Sequence, residues 1–250
     1  MSDITLAITC CGRVDLLKKT VESINKHPKL IFTKKIIIDD SGNRKVGDQI
    51  TELFSDEFEI ILNEENKGQI YSIDKMYSLI QTEYIFHCEE DWNFYNGDFL
   101  EDSIKLLRAY PEITVIALRD WEKDIKINCN MLKGEQLYLD DEHIGYKLIR
   151  KGNHNWSGFT FNPGLRRLSD YKKLESYKNI GQEEDISIYY LERSKNIAIL
   201  KSGSVEHIGW DDHVYSIHNP YDSFLAQRLP KPITRFYQKT KKIVKRILKI

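Results

Sequence analysis

The chain has 250 residues, 41% hydrophobic and 30% charged, which suits one sizeable globular domain with or without an appendage. No apolar run reaches membrane-spanning length and no signal-peptide pattern follows Met1. Cys10, Cys11, Cys88 and Cys129 lack metal-ligand or disulfide-framework spacing, so reduced thiols in a cytoplasmic chain are expected. The net charge of −1 hides an asymmetry. Residues 231–250 hold eight Lys or Arg and no acid, and setting those eight aside leaves −9 on residues 1–230, which argues against a nucleic-acid-binding body.

Taken in order, Ile4–Thr9 reads as a buried strand stopping at the turn Cys10-Cys11-Gly12-Arg13. Val14, Leu17, Val21 and Ile24 then fall on one helix face, with Pro28 beyond its end. Lys35–Ile38 is a second strand closing on Asp39-Asp40-Ser41-Gly42. A short helix over 48–54, a third strand over 58–62 and a polar loop over 63–68 follow. Ile70, Ile73, Tyr77 and Ile80 mark another helix, which leads into the apolar run Tyr84–Cys88. That run ends in Glu89-Glu90-Asp91-Trp92. Three adjacent carboxylates against a core repel one another, and a divalent metal with oxygen ligands would offset that cost.

Farther along, Leu100, Ile104 and Leu107 outline a helix opened by Asp98 with Glu101 as a capping residue, and Thr114–Leu118 is a strand. Residues 122–150 read as a connection with weak strands and 152–169 as a loop rich in Gly, Asn and aromatics. Gly181–Asp185 precedes a helical stretch to about Ser194, Ile197–Leu200 is a last strand, and His207 follows. Strands alternating with helices predict an α/β fold with a doubly wound, mostly parallel sheet, where ligands sit at the carboxyl ends of the strands. Those ends carry Thr9–Arg13, Asp39-Asp40 and Glu89–Asp91. Neither G-x-G-x-x-G nor a P-loop is present, which argues against a dehydrogenase or P-loop NTPase.

With these segments in view, the chain resembles a nucleotide-sugar glycosyltransferase of the GT-A fold, from the large inverting family that includes many bacterial polysaccharide enzymes. The likeness covers roughly residues 3–215. Thr9-Cys10-Cys11-Gly12-Arg13 is similar to the family's opening T-x-N-R turn, with Gly12 where Asn is usual. Ile38–Gly42 resembles its D-D-G-S segment with Ser and Gly exchanged, and Asn66-Lys67-Gly68 its N-x-G loop. Glu89-Glu90-Asp91 takes the place of the metal-binding D-x-D, Glu184-Asp185 resembles the E-D pair that supplies the catalytic base, and His207 resembles a late metal-binding histidine.

The resemblance implies a set of roles. Asp91 and His207 would hold Mn²⁺ or Mg²⁺. Thr9, Arg13, Asp39, Asp40, Asn66, Lys67, Gly68, Glu89 and Glu90 would line a nucleoside-diphosphate sugar, with UDP favoured on family frequency. Asp185, then Glu184, with Glu183 behind them, would deprotonate the acceptor hydroxyl. Trp156, Phe159 and Arg166 are candidates for contact with a saccharide or lipid-linked glycan acceptor. Alternation along an extended chain would put Glu89 and Asp91 on one side and Glu90 on the other.

We expect the glycosyltransferase domain to span 1–225 and a basic amphipathic tail 226–250. Phe236, Tyr237, Ile243, Val244, Ile247 and Leu248 recur there at helical spacing among Lys239, Lys241, Lys242, Lys245, Arg246 and Lys249. Such a segment docks peripherally on an anionic membrane, here the inner face, where a lipid-linked acceptor would lie. Two other readings are a nucleotide-sugar-binding module that has lost catalysis and a sugar nucleotidyltransferase. The second would carry a longer Gly- and Arg-rich loop than Cys10–Arg13.

Overall fold

The computed structural model describes residues 3–210. The body is a nine-stranded mixed sheet between two helical layers, ordered β3-β2-β1-β4-β9-β6-β10-β8-β7. Its first half holds parallel strands β1 (Ile4–Cys10), β2 (Lys34–Asp39), β3 (Glu59–Leu62) and β4 (Tyr84–Glu89). Between them lie the crossover helices α1 (Val14–Asn25), α2 (Arg44–Phe54) and α3 (Gln69–Tyr77). β1 is buried along its whole length, as expected of a central parallel strand.

Side-chain alternation divides the core into two faces. Leu6, Ile8, Ile37, Tyr84, Phe86 and Cys88 enter one cluster with Val14, Leu17, Val21 and Ile24 of α1. Ala7, Ile36, Ile38 and Ile85 enter the other, with Ile73, Met76 and Tyr77 of α3. The helix face read from the sequence of α1 is therefore its buried face. Ile80 lies beyond the end of α3 yet is still buried.

Two expectations are corrected. Residues 122–150 are more regular than a weak connection. A π-helical turn (Trp121–Ile125) and the single turn α5 (Lys126–Asn128) lead into a long antiparallel hairpin of β7 (Leu132–Leu139) and β8 (Glu142–Arg150). The 152–169 loop ends in β9 (Gly164–Arg167), wedged antiparallel between β4 and β6 (Ile113–Ala117). The parallel register continues from β6 to β10 (Asn196–Leu200).

Helix α4 (Phe99–Ala109) precedes β6, while α6 (Leu168–Leu174), a 3-10 turn (Tyr177–Asn179) and α7 (Glu183–Glu192) precede β10. Asp98 makes no capping bond with its side chain and pairs instead with Lys29 at 2.8 Å. A second, two-stranded sheet pairs β5 (Trp92–Phe94) with β11 (Val205–His207), His207 opposite Trp92. It brings a residue near the end of the described chain to the acidic strand end. Among the described residues no helix is long and apolar enough to cross a membrane. The tail residues 226–250 lie outside them.

Candidate active site

Parallel register aligns the strand ends that form the site, with Thr9 opposite Glu89 and Cys10 opposite Asp39. Strand β4 stops at Glu89, and Glu90-Asp91 form a turn. The alternation expected through the acidic triplet therefore fails. Glu89 stays on the α3 side, where Gln69 Nε2 donates to Oε1 at 2.7 Å and Trp92 Nε1 to Oε2 at 3.3 Å. Glu90 and Asp91 both turn toward Arg13, whose Nε bonds Glu90 Oε1 at 2.9 Å while Nη2 meets Asp91 Oδ2 at 2.8 Å. Cys11 N also donates to Glu90 Oε1. Glu90 is a buried ion-pair partner, and Thr20 of α1 fixes its turn by donating to the Glu90 carbonyl at 2.6 Å.

Asp91 is 6% exposed, and His207 Nε2 stands 3.1 Å from its Oδ2. Asp91 Oδ1 and His207 Nδ1 are buried without a hydrogen-bond partner among the described residues. A polar atom buried without a partner costs about 1–3 kcal/mol. Among the described residues no group of three or more His, Cys, Asp or Glu side chains is placed to hold a metal. The carboxylate oxygen without a partner and the imidazole are two donors of the kinds that Mn²⁺ accepts. Gly209 packs so closely on the Asp91 side chain that a Cβ there would lie 2.7 Å from Asp91 Oδ2. Burial alone would raise the Asp91 carboxyl, but His207 and Arg13 hold it below its ordinary value. Burial, then Asp91, Glu183 and Glu90, push the Glu89 carboxyl up to about 8.

Asp39 and Asp40 organise the loops at the ends of β1 and β3. Asp39 Oδ1 accepts from Gly12 N at 3.0 Å, and Oδ2 accepts from Ser41. Gly12 adopts φ +80°, a conformation L side chains rarely take, so the turn that its bond to Asp39 closes favours glycine here. Asp40 Oδ1 accepts from Asn63 Nδ2 and Lys67 N, and Oδ2 from Gly68 N at 2.7 Å. Asn66 reaches Cys11 Sγ at 3.4 Å. Lys67 extends into solvent toward Glu65. Thr9 is buried at the end of β1.

The acids at the start of α7 divide differently from the sequence reading. Asp185 sits at the third helical position and accepts from Gln182 N at 2.9 Å, closing a capping box. It lines a groove with Leu174, Ile180 and Tyr189. Glu184 is exposed. Glu183, at the first helical position, accepts from Phe161 N at 2.6 Å and is close enough to Glu89 to raise that carboxyl. Phe159 (0% exposed) and Arg166 (2%) are interior, which corrects their expected contact with an acceptor, and Trp156 packs against the same core with Nε1 on the Phe159 carbonyl. Gln69, Gly209 and Trp210 were not anticipated. Trp210 is 64% exposed and edge-on to His207 at 4.6 Å.

This architecture, an open mostly parallel sheet with an acidic strand end and a late histidine folded back onto it, is that of a GT-A glycosyltransferase. The chain belongs to glycosyl transferase family 2, whose model matches residues 5–174. Similar solved structures include S. aureus TarS 1-349, at TM-score 0.57 and 13% identity over 90% of this chain and 62% of that one. GalNAc-T7 with UDP, GalNAc and Mn²⁺ gives 0.58 and 14% over 86% and 45%. The mannosyltransferase PcManGT from Pyrobaculum calidifontis, with GDP-Man and Mn²⁺, gives 0.53 and 10% over 78% and 56%. The chain thus spans less than two thirds of the length of these structures. No curated protein sequence matches it.

Proposed function

We propose that the protein is an inverting, metal-dependent glycosyltransferase. It would move a sugar from a nucleoside-diphosphate donor, UDP-linked on our reading, to a hydroxyl of a saccharide or lipid-linked glycan. The observation that carries this is the buried Asp91–His207 pair with Asp91 Oδ1 unpartnered. Donors of that kind in solved relatives, UDP-GlcNAc with TarS and GDP-Man with PcManGT, support the substrate class.

Asp91 and His207 would hold the metal. A bound Mn²⁺ or Mg²⁺ supplies positive charge against the leaving diphosphate. Arg13 keeps Glu90 and Asp91 together at the strand end, and Asp39 and Asp40 hold the Gly12 turn and the 63–68 loop that would border the nucleoside. We place the general base at Glu183 instead of Asp185 or Glu184. Each carboxylate accepts one backbone N–H, Asp185 from Gln182 and Glu183 from Phe161. Asp185 is exposed at the start of α7, however, while Glu183 is close enough to Glu89 to raise that carboxyl. A single displacement assisted by one base inverts the anomeric centre.

Residues 231–250 would dock the enzyme peripherally on an anionic membrane, a reading that rests on their composition alone. The function is tested by incubating the protein with UDP- and GDP-sugars, Mn²⁺ and saccharide acceptors, and reading product stereochemistry by NMR. Transfer with inverted configuration is expected. Retention, or transfer undiminished by EDTA, would overturn the proposal.

A further inference from the structure

The innermost charged side chain near the site is Arg166, on β9 between β4 and β6. It pairs in register with Ile85 and Val115, and so enters the same face of the sheet as His87 and, at the strand end, Glu89. It is 2% exposed, and none of its three side-chain nitrogens has a hydrogen-bond partner of normal geometry among the described residues. Its guanidinium carbon lies 5.9 Å from the Phe159 ring centroid and 5.8 Å from that of Phe161. The rest of its surroundings are neutral. Tyr77 and Tyr190 approach it, and Tyr177 comes within hydrogen-bonding reach. Burial followed by Arg166 itself drives His87 well below its ordinary value, leaving an uncharged imidazole.

A buried guanidinium without an ion-pair partner is costly, so a counter-charge within Coulomb range is expected. That charge is on the neighbouring loop-to-helix junction. Phe161, whose ring flanks Arg166, donates its backbone amide to Glu183 Oε1 at 2.6 Å. One residue therefore links cation and carboxylate, with its ring on the first and its N–H on the second.

We propose that Arg166 is a positioning residue for Glu183, its buried guanidinium being the counter-charge that keeps Glu183 ionised and seated on the Phe161 amide. This rests on our reading of Glu183 as the general base. The groups facing Glu183 divide in sign. Glu89 from β4 is itself raised by Glu183, Arg166 from β9 favours the charged form of Glu183, and Glu184 and Asp185 follow on its own helix. Burial raises the Glu183 carboxyl, and the Phe161 amide and Arg166 counter that rise. Removing Arg166 should raise it further. A base works only when deprotonated, so the acid limb of the rate profile should move to higher pH.

The test compares Glu183→Gln, Arg166→Met and Arg166→Lys in the full chain, reading kcat against pH, the KM for UDP-sugar and UDP affinity by calorimetry. Arg166→Met should move the acid limb up by about one pH unit or more, the scale of one opposite charge. It should lower kcat at pH 7 by about tenfold, with donor KM within about twofold. Arg166→Lys, which keeps the charge, should leave the limb in place. A folded Arg166→Met with an unmoved limb overturns the proposal while leaving Glu183 as base. A near-native Glu183→Gln overturns both. Should Arg166→Met not fold, Arg166→Lys decides. An unmoved limb supports the counter-charge, and a limb moved as far as expected for Met overturns it.

Discussion

Arg13 binds two consecutive acids with one guanidinium, Nε to Glu90 Oε1 at 2.9 Å and Nη2 to Asp91 Oδ2 at 2.8 Å. All three side chains are at least 86% removed from solvent by exposure of 14%, 5% and 8%, so the pairing is not a screened surface contact. Arg13→Met leaves two buried carboxylates facing each other, and a loss of about 3 kcal/mol is expected from breaking such a network. Urea unfolding measures it. Mn²⁺ should raise the Tm of the variant more than that of the parent, because it returns positive charge to Asp91. An equal metal response in both proteins would mean that Arg13 and the metal do not share a partner.

Asp91 and His207 are predicted to bind the metal jointly. Asp91→Asn should abolish the Mn²⁺-dependent part of UDP binding in calorimetry and His207→Ala should weaken it, both leaving the circular dichroism spectrum unchanged. His207 is the milder change, since a single imidazole is lost while the carboxylate remains. Full Mn²⁺-dependent binding in both variants would exclude this pair as the metal site.

The strand ends were legible because each is the stop of a buried apolar run. Thr9, Asp39 and Glu89 follow β-branched or aromatic segments whose only stable place is a central sheet. The strands missed are those with no local signal. β5, β9 and β11 are three or four residues long, and they exist because distant partners pair with them. With β5 and β11 unread, His207 could be connected to Asp91 by resemblance but not by topology. Arg166 was misread for a related reason. An Arg-Arg pair in a loop reads as open to an acceptor, whereas insertion of β9 between β4 and β6 turns alternate residues inward. Arg166 goes into the core, and Arg167 turns out to bond Asp170 and backbone carbonyls.

Asp40 holds the 63–68 loop through two backbone amides, Lys67 N and Gly68 N, and the Asn63 side chain. Asp40→Ala strips acceptors from all three donors. With about 1–3 kcal/mol for a buried group left unsatisfied, a loss of about 2 kcal/mol in stability is expected. UDP affinity should fall with it, and amide exchange over 64–68 should rise. Unchanged exchange in that loop would show that the carboxylate is not its anchor.

Residues 231–250 should bind anionic vesicles and release them as salt shortens the Debye length from about 10 Å at 0.1 M to about 3 Å at 1 M. A version ending at residue 230 should remain in the supernatant yet still transfer sugar to a soluble acceptor. Sedimentation with phosphatidylserine vesicles decides it, and equal partition of the two forms would rule the anchor out.

The last prediction separates Glu183 from Asp185, the acid that the resemblance placed first. A change of one residue in where a helix begins rotates each side chain by about 100°. With the N-cap at Gln182, Asp185 falls on the capping position and Glu183 on the inward one. Glu183→Gln keeps size and the Phe161 bond but removes basicity, so transfer should fall by at least about a hundredfold. Asp185→Asn weakens a cap, so about 1 kcal/mol of stability should be lost with kcat nearly intact. Donor affinity should hold in both, because neither carboxylate is assigned to the nucleotide. Measured side by side under saturating acceptor, the pair of variants gives opposite patterns for the two assignments. A hundredfold loss in Asp185→Asn with a mild Glu183→Gln would return the base to Asp185 and require the start of α7 to rearrange when substrate binds.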